Sequence, residues 1–299
     1  MNKLNYNSNL INMVRNYCED TTLVQTLIPN LQLYSTSEKS EFINVIYEPS
    51  LCVALQGEKE ISYGDDTYHY SPDRYFITCT NIPAKIKIKE ASTKKPYVAI
   101  VLNFSLNDIY EVLKELNKNE VKSKKIQMPL CFNKLEDTLL EPLNRLVRLL
   151  EKPKKTIDFI YPLIIKEIIY ILLENDEEFF SNYVLEGSLT NQIVKAISEI
   201  KDNYKETINI KDLSKEIGMS ESTLYQNFKK ITLMSPLQYQ KKIRLEEAKQ
   251  LLISQNLDAS EVAFEVGYES PSQFSREYSR MYGMPPKAHI THLRSQEVL

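Results

Sequence analysis

Residues 208–236 read INIKDLSKEIGMSESTLYQNFKKITLMSP, and residues 257–286 repeat the pattern as LDASEVAFEVGYESPSQFSREYSRMYGMPP. Each copy has an apolar helical segment that ends at a glycine, Gly218 or Gly267, and a second amphipathic segment begins two or three residues later. Glycine adopts positive φ at no steric cost, which a tight turn between two helices requires. The repeat predicts two helix-turn-helix units in an all-α C-terminal region.

The second helix of each copy has a start signal and a predicted buried face. Ser220 and Ser270 are of the type preferred at helix N-caps, and Pro271 takes the first helical position of the second copy. Apolar residues four positions apart share one face of a helix and are expected to pack on the preceding helix. These pairs are Leu224 with Phe228 and Phe274 with Tyr278.

The opposite faces carry hydrogen-bonding and cationic side chains, which suit base edges near the start of a helix and phosphates nearer its end. Arg276 is suited to guanine, and Gln226 and Gln273 are suited to adenine. A solvated surface explains any one of these residues, but two such faces in tandem favour double-stranded DNA as the partner. We predict eleven DNA-contacting residues: Ser222, Thr223, Tyr225, Gln226, Lys229 and Lys230 in the first copy, and Ser272, Gln273, Ser275, Arg276 and Arg280 in the second.

A single amphipathic segment, residues 235–254, joins the two copies. As a helix of about 20 residues it would span roughly 30 Å, close to the roughly 34 Å between successive major grooves on one side of DNA. The segment predicts a rigid helix that holds two reading helices in adjacent grooves. Lys241, Lys242 and Arg244 would then lie beside the DNA backbone.

Between residues 42 and 104 the pattern is that of short strands, seven in number, each bounded by turn residues. Regularly spaced strands of this kind predict a small antiparallel barrel or sandwich. Inward positions would line a pocket for a small-molecule effector, although side chains that simply fill the interior explain each position equally well. The candidate effector-binding residues are Val53, Leu55, Tyr68, Tyr70, Phe76 and Thr78.

From residue 107 to about 180 the apolar period becomes helical, with one stripe around Leu139 and Leu143 and a second around Ile164 and Ile168. Intramolecular core is the favoured interpretation of both stripes, and a dimer seam is the alternative. We therefore expect three regions: an effector-binding barrel with an N-terminal helix at 1–106, a helical linker or dimerisation region at 107–187, and the DNA-binding domain at 188–299.

Three segments of the last hundred residues, DLSKEIGMSESTLYQNFKK, SPLQYQKKIRLEEAKQLL and VAFEVGYESPSQFSREYSRMYGMPP, closely resemble the DNA-binding domain of the AraC family. The segment PSLCVALQGEKEISYGDDTYHYSPDRYF resembles the effector-sensing N-terminal domain of one AraC subgroup. The resemblance implies an α+β fold, with a cupin-like β-barrel and flanking helices ahead of the all-α domain. It implies a homodimer, and more often an activator, which would also contact RNA polymerase. The base-contacting positions of the family fall on Ser222, Tyr225, Gln226, Ser272, Gln273 and Arg276.

The first copy departs from the family pattern at its end. Leu233 stands where the family has a glycine, whereas the second copy has Gly283 at the matching place. Leucine does not adopt positive φ cheaply. We therefore expect a different turn after the first reading helix, or a slight shift of that helix.

Two other functions are considered for the first region, that of an enzyme and that of a thiol sensor. Cupin enzymes hold a metal with several histidines and a carboxylate, but His69 is alone before His289, so no metal, cofactor or catalytic residue is expected. Cys52 and Cys79 fall on predicted strands, and a thiol- or aldehyde-responsive regulator is one alternative, although neither has a basic sequence neighbour that would lower its pKa. A second alternative is a ligand-independent regulator whose barrel serves only for dimerisation.

Charge and hydropathy are consistent with this interpretation. The formal net charge is −3, and the part from residue 188 onward has 15 basic and 14 acidic residues, which gives only weak support for nucleic-acid binding. The longest apolar run, residues 157–173, is interrupted by Pro162, Lys166 and Glu167, and the N-terminus has no signal-peptide core. We expect a cytoplasmic protein with no membrane partner.

Overall fold

Among the described residues, ten strands and the helices around them form the first of two units, Met1–Val194, and the elements of the second, Lys195–Leu299, are all helices. The computed structural model describes residues 3–18, 22–118, 120, 125–254 and 257–296, with side chains from 8 to 291 outside the gaps. The boundary between the units falls inside one helix, α6 (Leu189–Asp202).

The strands pair antiparallel in two sheets. A six-stranded sheet has the order β1-β2-β9-β4-β7-β10, and a four-stranded sheet has the order β3-β8-β5-β6. The predicted α+β class is confirmed. Among the described strands, the predicted barrel is replaced by these two sheets, which do not close into a barrel. The strands are β1 Leu23–Gln25, β2 Leu31–Thr36, β3 Ile43–Tyr47, β4 Ser50–Gln56, β5 Glu58–Tyr63, β6 Asp66–Tyr70, β7 Arg74–Thr78, β8 Ile82–Glu90, β9 Tyr97–Asn103 and β10 Leu130–Lys134.

The central strand β4 is buried on both faces, which explains its continuous apolar run LCVAL. Leu51, Val53 and Leu55 belong to the apolar core that the six-stranded sheet shares with the helices. Because side chains alternate along a strand, Cys52 and Ala54 face the other way, toward the four-stranded sheet. The six-stranded sheet therefore has one face toward the helices and one toward the other sheet.

The helices of the first unit complete that core. Helix α1 packs against β2, β4 and β9, and α3 packs against both α1 and α4. The two predicted helical stripes are buried here, including Leu139, Leu143, Ile164 and Ile168, so the intramolecular-core interpretation of these stripes is confirmed. The helices are α1 Lys3–Cys18, α2 Leu106–Glu115, α3 Asp137–Leu149, α4 Lys154–Asn175 and α5 Glu177–Val184.

The second unit contains both predicted helix-turn-helix pairs. Gly218 and Gly267 have φ of 73° and 86°, so both predicted inter-helix turns are confirmed. Ser220 and Ser270 cap the reading helices, since their Oγ atoms accept from the amides three residues on at 3.2 and 3.4 Å. The helices after α6 are α7 Ile210–Glu216, α8 Glu221–Thr232, α9 Pro236–Ser254, α10 Ala259–Glu265, α11 Pro271–Tyr282 and α12 Pro286–Gln296.

The expectation of a different turn at Leu233 is wrong. Leu233 caps α8 at φ 65° and ψ 8°, and Gly283 caps α11 at φ 79° and ψ −7°, so both residues adopt the left-handed conformation. The turn is fixed by its surroundings: Thr232 Oγ1 donates to the carbonyls of Phe228 and Met234, each at 2.9 Å. These bonds hold the chain in a conformation that costs a non-glycine residue about 1–2 kcal/mol.

In the described part of the chain, no helix combines the length and the apolar character that crossing a bilayer requires.

Candidate nucleic-acid interface

The inner faces of α8 and α11 are anchored by the apolar pairs that the sequence predicts. Leu224, Phe228, Phe274 and Tyr278 are completely buried. The Phe228 ring meets that of Tyr239 on α9 edge-on, with the ring centroids 5.5 Å apart. Each second helix is thus held by its own core contacts, which fixes the face that it turns outward.

The outer faces of the same helices carry the eleven residues predicted to contact DNA. Nine are exposed, while Thr223 and Ser275 are partly buried. Thr223 belongs partly to the helix cap, because its Oγ1 lies 2.8 Å from the capping Ser220 Oγ. The structure therefore collects the predicted residues on two outward faces, and their contact with bases or phosphates stays a prediction. The nine exposed residues are Ser222, Tyr225, Gln226, Lys229, Lys230, Ser272, Gln273, Arg276 and Arg280.

A partly buried carboxylate supports the outward face of α11. Glu277 forms an ion pair with Lys241 of α9 at 2.8 Å, and it accepts hydrogen bonds from Tyr268 Oη at 2.9 Å and Gln273 Nε2 at 3.3 Å. Burial of Glu277 raises its pKa, but the hydrogen bonds from Lys241, Tyr268 and Gln273 outweigh this and lower the pKa below its usual value. Glu277 is therefore ionised at neutral pH and ties a predicted base reader to the joining helix.

Sequence reasoning missed Glu277. The spacing of Gln273 and Glu277, four residues apart on one helix, was the available signal. The partnership with Lys241 joins residues 36 positions apart and has no local signal.

Arg244 does not present its guanidinium as a free charge beside DNA, as the sequence suggested. Its Nε donates to the carbonyl of Tyr204 at 2.7 Å, and its Nη2 donates to the carbonyls of Lys205 and Glu206 at 2.9 and 3.0 Å. Burial lowers the pKa of Arg244. Arg244 therefore fixes the segment that follows α6, residues 204–206, against α9, which is an internal role.

The turn of the second helix-turn-helix pair approaches the same segment closely. A Cβ built on Gly267 would lie 2.3 Å from the Lys205 carbonyl oxygen, so only glycine fits at this turn. Arg244 therefore holds the segment at Lys205 by hydrogen bonds, and Gly267 leaves room for that segment beside the turn of the second helix-turn-helix pair.

The six candidate effector-binding residues do not share one face. Val53 and Leu55 lie in the core beneath the helices. Phe76 lies between the sheets, with its ring centroid 5.0 Å from those of Tyr47 and Phe132, and Tyr68 stacks on Phe132. Side chains alternate along a strand, so Tyr70 lies on the same side of β6 as Tyr68, and Thr78 lies on the same side of β7 as Phe76. Effector binding by all six stays a prediction, and four of them border the space between the sheets.

That space also holds polar groups that sequence reasoning missed. The hydroxyls of Tyr47 and Tyr70 are buried and have no hydrogen-bond partner among the described residues, although the Ala54 backbone amide lies near Tyr70. Lys59 Nζ lies 5.5 Å from the Tyr47 ring centroid, and burial lowers its pKa. Because buried hydroxyls are nearly always paired, these groups are suited to a ligand.

The two strand cysteines are poor thiolates. Burial raises the pKa of Cys52, and the nearby Lys59 offsets this only in part. Burial raises the pKa of Cys79 well above its usual value, and the charges of Cys131 and Asp176 raise it further. Both thiols are therefore protonated at neutral pH.

His69 contacts Glu60, with Nδ1 and Oε1 3.3 Å apart. Across the described residues, His, Cys, Asp and Glu side chains form no group of three that could hold a metal ion.

Two tandem helix-turn-helix units with outward polar faces define a DNA-binding protein of the transcription-regulator class. The family model of the AraC-type transcriptional regulator N-terminus matches residues 27–178, and a helix-turn-helix domain model matches residues 213–291. The chain belongs to the AraC-type transcriptional regulators. It is a sequence-specific DNA-binding regulator of transcription, as the sequence predicts.

Similar proteins include two operon regulators. The lactose operon transcription activator of Staphylococcus xylosus is 23% identical over 248 residues, which cover 83% of this chain and 85% of that protein. The raffinose operon transcriptional regulatory protein RafR of Pediococcus pentosaceus is 36% identical over 97 residues, which cover 32% of this chain and 35% of that protein.

The structure of wild-type ToxT from Vibrio cholerae with a bound unsaturated fatty acid has a similar fold. Its TM-score is 0.56 at 11% sequence identity, and the match covers 90% of this chain and 95% of that one.

Proposed function

We propose that the chain is a ligand-responsive activator that binds DNA as a homodimer and places α8 and α11 in adjacent major grooves. The observation that carries this proposal is the pair of exposed polar faces joined by α9, a helix of 19 residues. At 1.5 Å per residue α9 is roughly 28 Å long, which suits the spacing of successive grooves. Ser222, Gln226, Gln273 and Arg276 would read bases, and Lys229 and Arg280 would contact phosphates.

Selection from a random DNA library with the purified full-length chain at physiological salt tests the paired readers. The proposal predicts a motif in which each bound chain contacts two blocks about one helical turn, roughly 10 base pairs, apart. A single contacted block, or binding without sequence preference, would contradict it.

A small-molecule effector is proposed for the space between the two sheets. The buried hydroxyls of Tyr47 and Tyr70 support a ligand that offers hydrogen-bonding groups to an aromatic enclosure, because no side chain among the described residues pairs with them, and Lys59 lies over the Tyr47 ring. Two ligand classes are tested first. The ToxT structure with its bound unsaturated fatty acid suggests fatty acids, and the lactose and raffinose operon regulators suggest sugars.

A thermal-shift panel of sugars and fatty acids tests the effector. A ligand at 100 times its Kd stabilises the bound unit by about 2.7 kcal/mol, and Tyr70→Phe should reduce the shift. If no compound raises the unfolding midpoint, the alternative of a ligand-independent regulator is favoured. The thiol- or aldehyde-responsive alternative has less support, because the raised pKa values of Cys52 and Cys79 keep both thiols protonated.

The lactose and raffinose operon relatives are transcription regulators, which supports a regulatory and not a catalytic role for the first unit, without a cofactor. As an activator the chain would contact RNA polymerase, and as a bacterial DNA-binding regulator it would work in the cytoplasm.

A further inference from the structure

The side-chain amide of Gln273 on α11 can face DNA in either of two orientations, related by a half-turn. The amide oxygen only accepts hydrogen bonds and the amide nitrogen only donates them, so the two orientations offer DNA opposite patterns. Gln273 is exposed, and its Nε2 donates to Oε1 of Glu277 at 3.3 Å. A neighbour one turn further along the same helix therefore sets the orientation of this amide.

Glu277 permits only one of the two orientations. Burial raises its pKa, but hydrogen bonds from Lys241, Tyr268 and Gln273 outweigh this and lower the pKa, so the carboxylate is ionised. An ionised carboxylate has acceptors and no donor. A turned amide would thus place its oxygen against the carboxylate oxygens, and the hydrogen bond would become a repulsion. Lys241 Nζ at 2.8 Å and Tyr268 Oη at 2.9 Å hold the carboxylate in place.

We infer that Glu277 is a positioning residue for base specificity, which makes Gln273 discriminate adenine from guanine. In the major groove adenine presents the N7 acceptor and the N6 amino donor, and these match the remaining N–H and the oxygen of the fixed amide. Guanine presents two acceptors, N7 and O6, so the fixed amide would place its oxygen against O6. An amide that is free to turn could donate to guanine instead.

The first reading helix offers an internal comparison. Gln226 of α8 is exposed, and the residue four positions further on is Lys230, which can donate but cannot accept. The Lys230 ammonium itself donates to Asn227 Oδ1 at 3.3 Å. Across the described side chains, none forms a hydrogen bond with the Gln226 amide. The base preference at the position of Gln226 should therefore not depend on Glu277.

The inference rests on the proposed role of Gln273 as a base reader. Fluorescence anisotropy measures binding of the full-length chain to the selected operator and to its single-base variants. Gln273→Ala first identifies the base pair that Gln273 contacts, as the position at which the preference is relaxed. Glu277→Gln is then measured there, because its amide keeps the shape of Glu277 but can donate or accept, and so permits both orientations of Gln273. Lys241→Met is the matched control, which removes the ion pair and keeps the carboxylate.

The wild-type chain should prefer adenine over guanine at that position by about tenfold or more, the discrimination expected of a bidentate contact. Glu277→Gln should reduce this ratio to about threefold or less and leave the preference at the position of Gln226 unchanged. Lys241→Met should weaken binding to all sequences alike and keep the ratio within about twofold of wild type. If Glu277 acted only on the stability of the fold, its replacement would change binding at every position equally.

Two kinds of result would overturn the inference, and they are distinguishable. If Gln273→Ala relaxes no position, or relaxes one at which the wild-type chain does not prefer adenine, Gln273 is not an adenine reader, and the proposed base contact fails together with the inference. If Gln273→Ala relaxes an adenine position but Glu277→Gln keeps the ratio there, the inference alone fails. The inference alone also fails if Lys241→Met loses the ratio as fully as Glu277→Gln does.

Discussion

Glu277 of α11 and Lys241 of α9 form an ion pair with 2.8 Å between Oε1 and Nζ. The Glu277 side chain is only 16% exposed, and Lys241 is half exposed. The same carboxylate accepts hydrogen bonds from Gln273 and Tyr268, so one partly buried charge orients a predicted base reader and joins α11 to α9. The spacing of the two reading faces therefore depends on a group that need not touch DNA.

This ion pair makes stability depend on pH. The pKa of Glu277 is lowered in the folded chain, so its contribution is present above the unfolded pKa of about 4.3 and is lost as pH falls through the folded value. The difference in unfolding free energy between wild type and Glu277→Gln should be constant from about pH 7 to pH 5 and shrink below about pH 4. Urea unfolding at each pH measures it, and a difference that grows on acidification would refute the assignment.

Arg276→Ala should weaken binding to the selected operator by about 1–3 kcal/mol and relax the preference at one base position. Lys229→Ala should weaken binding to all sequences similarly and reduce the slope of log K against log salt by about 1. Fluorescence anisotropy on the operator and on its single-base variants measures both effects. Equal losses on every sequence for Arg276→Ala would show that Arg276 does not read a base.

Gly267 and Gly283 both adopt the left-handed conformation, but only Gly267 is closely approached by other atoms. Replacing each by alanine therefore measures the cost of backbone strain with and without a steric clash. A Cβ at position 283 has no atom within 4 Å, so Gly283→Ala should lower the free energy of unfolding only by the conformational penalty of about 1 kcal/mol. Gly267→Ala also meets the Lys205 carbonyl, and it should cost about 2–4 kcal/mol. Guanidinium unfolding compares the two variants, and equal costs would show that the segment at Lys205 yields freely.

Leu233→Gly should stabilise the chain by about 0.5–1 kcal/mol. It removes the strain of a left-handed leucine at φ 65°, and the greater entropy of unfolded glycine offsets only part of that gain. Leu233→Ala keeps the strain and serves as the control with no gain. A loss of stability in Leu233→Gly would mean that the leucine side chain contributes more than its partial exposure indicates.

Local signals account for what the sequence predicted in the second unit. Caps at Ser220 and Ser270, the turn glycines and the apolar pairs four residues apart are all set by neighbours within one helical turn. The conformation of Leu233 was missed because hydrogen bonds of its neighbour Thr232, to the carbonyls of Phe228 and Met234, override the intrinsic preference of leucine.

In the first unit the strands were predictable, but the face of each side chain was not. Strand β4 is buried on both sides, so its run of apolar residues contains no alternation that would separate Val53 from Cys52. Lys59 on β5 and Tyr47 on β3 approach each other only once both strands pair with β8, and no spacing in the sequence indicates that contact.

Hydroxyl-radical footprinting of the full-length chain on its selected operator tests the central claim most directly, because it maps where the two reading helices lie. Two reading helices held by a rigid α9 predict two protected segments about 10 base pairs apart for each bound chain, on one side of the duplex. A single protected segment per chain, or two segments whose spacing varies between operators, would contradict the account.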